Sequence, residues 1–253
     1  MRTLIQDVRF SGRVLCKTPG FTIAAVLTLA MAIGANAVVF SVMNGLILRP
    51  LNVPQPQTLY SIDRAPNKQS NQSYPDYLDL RDRNHSFDDL AAYTIPQAAL
   101  DTGNGPSPTW GVEASGNYFD ALRIQPYLGR FFHASDEHGL NSAPYMVLSY
   151  AYWHAHFHDD PGAVGRTVQV NKHQFTIIGV APPSFRGTLV FFSPNFFVPI
   201  VNCQQVDGDD DLNNRGNRSV LMVMGHLKTG VTPAQATADL NSLASYLAKN
   251  YSR

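Results

Sequence analysis

From Phe21 to Leu48 the chain runs without one charged side chain. As a helix rising 1.5 Å per residue, this stretch reaches about 42 Å. A bilayer's hydrocarbon core takes about 20 residues, so the stretch can cross it with length to spare. Arg49 and Pro50 end it. Before it stand Arg2, Arg9, Arg13 and Lys17 against one acid, Asp7. Basic flanks stay on the cytoplasmic side, which puts the N-terminus in the cytoplasm and Arg49 onward outside. A cleaved leader is the competing reading, because Ala35-Asn36-Ala37 has the small-x-small form of a cleavage site. Against it, apolar residues continue through Val38, Val39, Phe40, Val42, Met43, Leu46, Ile47 and Leu48. A secretory apolar region is normally about 7–15 residues. The expected organisation is a basic cytoplasmic segment over 1–20, a transmembrane helix over 21–48 and an exported domain over 49–253.

The apolar helix has a patterned surface. Ala30, Gly34, Ala37, Ser41 and Gly45 recur at helical spacing and form one face of small residues. Such a face lets a neighbouring helix approach closely in lipid. Asn36 and Asn44 are costly in lipid unless they meet a partner. Small residues are also simply common in such helices, so packing against another helix is one of two readings.

Composition excludes several function classes. There are 19 basic and 19 acidic residues, and the only basic cluster precedes the apolar run. A nucleic-acid partner, which would call for a basic face, is therefore not expected. Two cysteines, Cys16 and Cys203, are too few for a disulfide scaffold. Across a membrane from each other they could not pair.

After the proline-containing linker 52–57, the pattern predicts mixed elements. Leu59–Ile62 alternates like a half-buried strand. Ser73 caps a helix opening at Tyr74 with Pro75 in its first turn. Turn-rich Gly103–Pro108 separates two strands, and Asn117–Leu122 is a short helix. Tyr145–Leu148 reads as a strand and Ala151–Phe157 as a helix. Thr167–Val170 and Phe175–Val180 form a hairpin around Asn171-Lys172-His173. Val220–Leu227 is a strand, and a helix capped by Thr232 runs to about Tyr251. The elements do not alternate as a parallel sheet requires, so the fold class is α+β, of two subdomains.

No residue set carries an evident reaction. There is no GxxxxGK[ST] loop for nucleotide and no GxSxG elbow for a nucleophilic serine. His154, His156 and His158 would share a face only on a strand. On the helix read here they are exposed histidines rather than a metal site. Asp207, Asp209 and Asp211 match the start of a calcium loop, but Leu212 and Arg218 break it, so they read as a solvated acidic loop. Asp76, Asp79 and Asp82 read as a solvated helix face. No catalytic residue, cofactor or metal is expected. Phe191, Phe192, Phe196 and Phe197 are either core, the usual fate of phenylalanine, or an apolar patch that meets a partner.

A series of short motifs then occurs in order. They begin with Thr18-Pro19-Gly20-Phe21-Thr22, Gly34-Ala35-Asn36 and Leu48-Arg49-Pro50-Leu51. They continue through Tyr74-Pro75-Asp76-Tyr77-Leu78-Asp79, Leu90-Ala91-Ala92-Tyr93, Asn117-Tyr118-Phe119 and Leu128-Gly129-Arg130. Val147-Leu148-Ser149, Val164-Gly165-Arg166, Ile178-Gly179-Val180 and Gly230-Val231-Thr232 complete them. Together they resemble MacB/FtsX-type ABC-transporter permeases of the acidobacterial-type branch. The resemblance implies a transmembrane helix followed by a MacB-like periplasmic core domain, with further helices downstream, so that the chain is an N-terminal part of a permease. It also implies a cell inner-membrane location in contact with lipid, and pairing as a homodimer or with a second permease. The remaining implied partners are an ABC ATPase subunit or domain and a periplasmic adaptor. The implied work is non-catalytic: coupling cytoplasmic ATP hydrolysis to movement of the periplasmic domain. The alternative is a stand-alone tethered binding or adaptor module.

Overall fold

The structure is a computed structural model that describes residues 18–46, 51–63, 72–189, 192–216 and 221–251. Its contacts separate two units, Met1–Pro50 and Leu51–Arg253. The first is represented by one helix, α1 (Pro19–Leu46), 28 residues long. Over Pro19–Ser41 its mean hydropathy is 2.2 and none of it is buried. Phe21, Leu29, Met31 and Phe40 are all exposed. Among the described residues it is the one helix long and apolar enough to cross a membrane.

Among the described residues, the second unit is built on ten strands. In chain order they are β1 (Leu59–Ile62), β2 (Phe87–Thr94), β3 (Gln97–Asp101), β4 (Ser107–Ala114), β5 (Leu128–Gly129), β6 (Tyr145–Leu148), β7 (Thr167–Val170), β8 (His173–Val180), β9 (Phe196–Pro199) and β10 (Met222–Leu227). Six of them close on themselves. β4 pairs with β3, β3 with β7, β7 with β8, β8 with β6, β6 with β9, and β9 returns to β4. A ring of this kind has no free edge. The other arm leaves β4 through β2 and runs to β10 and then β1. Antiparallel pairing on both sides of β10 makes β1 and β2 parallel, with helix α2 (Tyr74–Arg83) connecting them. Ring and wing thus share β4, and a single sheet path serves two differently built halves.

Local chemistry places the elements. Ser73 Oγ accepts from the Asp76 N–H at 3.2 Å and caps α2. Ser149 caps α4 (Tyr150–Phe157), its Oγ accepting from Tyr152 N–H. Thr232 caps α6 (Pro233–Asn250) in a capping box with Gln235. The β7–β8 turn is Asn171-Lys172, both left-handed at φ 47° and 73°. That is the geometry of a two-residue hairpin whose twist matches the strands. Asn171 is fixed further, its Oδ1 accepting from the Ala99 N–H.

Alternation along the strands sorts the core into three clusters. Leu90, Ala92 and Val223 face α2 and α6, with Tyr77 and Leu80. Ala91, Tyr93 and Met224, on the opposite face, join Val112, Phe197 and the aromatics of the segment around α3 (Tyr118–Ala121). The ring's own cluster holds Leu100, Met146, Val168, Phe175, Ile177 and Phe196, closed over by Trp153 and Phe157 of α4. β9, which the sequence left unassigned within an aromatic run, is buried at all four positions. Its flanking Phe191 lies outside the described residues.

Candidate functional site

The small-residue face on α1 is intact as helix geometry. Ala30, Gly34, Ala37, Ser41 and Gly45 all fall inside Pro19–Leu46. Gly34 has nothing within 4 Å of where a Cβ would stand, so no contact among the described residues requires it to be glycine.

Residues 51–58 are tied down although they hold little regular structure. Val53 is buried among the aromatics around α3, with Leu51 and Leu59 packed beside it. Arg123 holds the segment from the side. Its Nη1 donates to Gln55 Oε1 at 2.5 Å and its Nη2 to Asp88 Oδ2 of β2 at 2.6 Å. Both Gln55 and Arg123 are left-handed, at φ 50° and 57°. Non-glycine residues pay for that conformation with strain, so the surrounding bonds must hold it. Thr58 Oγ1 lies 2.8 Å from Nδ1 of the buried His226 on β10. Burial, and after it the Arg123 charge, keeps that imidazole below its usual pKa. The arrangement anchors residues 51–58 to β2 and β10.

On the other face of the wing, Asp76 is buried rather than solvated, a correction to the expected open acidic face. Arg215 reaches α2 from 139 residues away, donating from Nη1 to Asp76 Oδ1 at 2.5 Å and from Nη2 to Asp79 Oδ2 at 2.6 Å. Asp82 pairs with Arg81 instead. Beside this cluster, between β1, α2 and α6, lies a cavity of about 360 Å³. Ile62, Leu80, Leu240, Ala244 and Leu247 give it apolar walls, with Asp63, Gln72 and Asn241 on its rim. That is within the size range of small-molecule sites.

The aromatic run resolves unequally. Phe196 and Phe197 are fully buried, on opposite faces of β9 and in different clusters. For both, the structure gives core burial, and the alternative of a contact surface is set aside. Phe192 is half-buried, edge-to-face with the exposed Trp110 at 6.1 Å. The histidines diverge. His154 Nδ1 lies 2.8 Å from Asp159, His156 stacks on Tyr152 at 4.1 Å, and His158 takes a left-handed conformation to end α4. Among the described residues no three of His, Cys, Asp and Glu are placed to hold a metal ion. Cys203 is buried and free, its thiol pushed up to about 12 by burial and then by Glu113. Cys16 lies outside the described residues.

The family described as MacB-like periplasmic core domain matches residues 22–243, from the first turn of α1 into α6. The chain belongs to this family. No curated protein matches it. The fold agrees with solved members. The periplasmic region of MacB from Actinobacillus actinomycetemcomitans is 20% identical over 76% of this chain and 81% of that one, with a TM-score of 0.53. The extracellular domain of the noncanonic ABC-type transporter YknZ from Gram-positive bacteria is 13% identical over 76% and 92%, at 0.51. A domain of a putative permease from Porphyromonas gingivalis is 14% identical over 70% and 71%, at 0.51. At these identities the likeness establishes the fold alone. Sequence reasoning missed the Arg215 pairs, the Arg123 tie and the buried Glu113. The only signal for Arg123 was its place behind the short Tyr118 helix, and Arg215 gave none.

Proposed function

We propose that this chain is the first membrane helix and periplasmic domain of an ABC-transporter permease, passing mechanical movement rather than performing chemistry. In this reading α1 spans the inner membrane with its N-terminus cytoplasmic, and residues 49–253 form the periplasmic domain. ATP hydrolysis by a separate or fused ATPase moves that domain. The observation that carries the reading is the segment following α1, bonded through Arg123 and His226 to β2 and β10. Movement passed to residues 51–58 would reach the wing through these bonds. The small face of α1 would pack against other permease helices. Gly34→Leu tests this, because a Cβ at this position has nothing within 4 Å among the described residues. The expected result is loss of co-purification with the ATPase and the second permease copy, at unchanged thermal stability of the domain. Undiminished co-purification would remove the small face from the assembly.

A stand-alone tethered binding module is the second reading, and the cavity beside α6 favours it. It requires that no ATPase co-purify and that a small ligand raise the thermal stability of the domain.

A further inference from the structure

Glu113 lies on β4, the strand shared by ring and wing. It pairs with Thr94 of β2 on one side and Val198 of β9 on the other. Side chains two apart on a strand share a face. Gly111 faces the ring of Phe196, in the ring's core, so Glu113 points inward on the same side. It is 1% exposed, and neither carboxyl oxygen has a hydrogen-bond partner. The ionisable groups acting on it come from α5 (Cys203–Val206) and the loop beyond: Cys203, Asp207 and Asp209. Its strand partners Thr94 and Val198 carry no charge, and no cationic side chain among the described residues offsets the two aspartates. A carboxylate left unpaired in such a place would be expelled or neutralised.

We propose that Glu113 is a proton-dependent latch at the seam where β9 closes the ring on β4. With its proton on, β4, β9 and the Asp207–Asp209 loop close over a neutral side chain. When the proton leaves, the charge inside the ring and the two facing aspartates push the seam apart. Burial first, and then Asp207 and Asp209, place that loss well above the ordinary carboxylate range. The folded state therefore holds the proton more tightly than the unfolded chain. The latch is fully closed below the ordinary glutamate value and weakens as pH rises toward the raised one.

The test is amide exchange at 111–114 and 196–199 in the full chain in detergent, corrected for intrinsic rates, from pH 5 to 9. In the parent chain the opening constant should rise by up to about tenfold per pH unit relative to Glu113→Gln, one proton being released on opening. Asp207→Asn, which keeps the loop's acceptor oxygen, should make that rise level off at lower pH, because one of the charges that raise Glu113 is gone. If Glu113→Gln does not fold, this second variant decides. Parallel profiles for the parent and Glu113→Gln overturn the latch, as does an unmoved profile in Asp207→Asn. A rise abolished by added calcium and restored by a chelator also overturns it, because a metal ion and not a proton would then be the carboxylate's partner.

Discussion

The ring and the wing use one strand in common and hold themselves together differently. The ring leaves no edge, and its interior is apolar apart from the face of β4 that carries Thr109 and Glu113. The wing is an open three-stranded layer backed by α2 and α6. Ion pairs pin it, Arg215 to Asp76 and Asp79, and Asp239 of α6 accepts from the His85 N–H and Ser86 Oγ. A cavity remains beneath α6, only two of whose residues are buried. Close-packed interiors resist deformation, and polar ties over a cavity permit it. The difference teaches that residues 51–58 are tied to the half better able to yield.

Breaking the ring should cost most. Phe196→Ala removes a fully buried ring from its core and should lower unfolding free energy by about 3–5 kcal/mol, read by urea titration. A cost near that of an exposed site would mean the ring is not the rigid half. Glu137 sharpens the contrast at the wing's side, where burial raises its pKa to about 7. A raised carboxyl stabilises below its unfolded value and loses that contribution as pH climbs to the folded one. Stability should fall from about pH 4.5 to 7 by about 3 kcal/mol in the parent relative to Glu137→Gln. Equal pH profiles would leave Glu137 without influence. Arg215→Ala strands the buried Asp76 and should cost about 2 kcal/mol. The exchange protection lost should be confined to α2 and α6. If the ring loses protection equally, the two halves do not behave separately. The smallest effect on stability belongs to Arg123→Ala, under about 1 kcal/mol because its ion pair is half-exposed. Amides 51–58 should nevertheless exchange markedly faster, and unchanged protection there would remove Arg123 as the anchor.

Much of the fold was legible because its signals are local. The uncharged run from Phe21 announced α1, and the capping Ser73 and Thr232 marked the starts of α2 and α6. The positive-φ pair Asn171-Lys172 sits where the hairpin was expected. β9 was not legible, because a strand buried on both faces reads as a continuous apolar run without a period. Asp76 gave a similar error. An aspartate at helical spacing looks solvated until a partner arrives from elsewhere in the chain.

By itself, the sequence determined the long apolar helix, the mixed helices and strands after it, and the turns between them, since each depends on residues within a few positions of one another. The return of β9 to β4, the seating of Glu113 inside the resulting ring, the Arg215 clamp and the Arg123 tie were decided only by the tertiary structure. Each joins groups far apart in the chain, and their pairing energies exist only once the sheet has closed and excluded water around them.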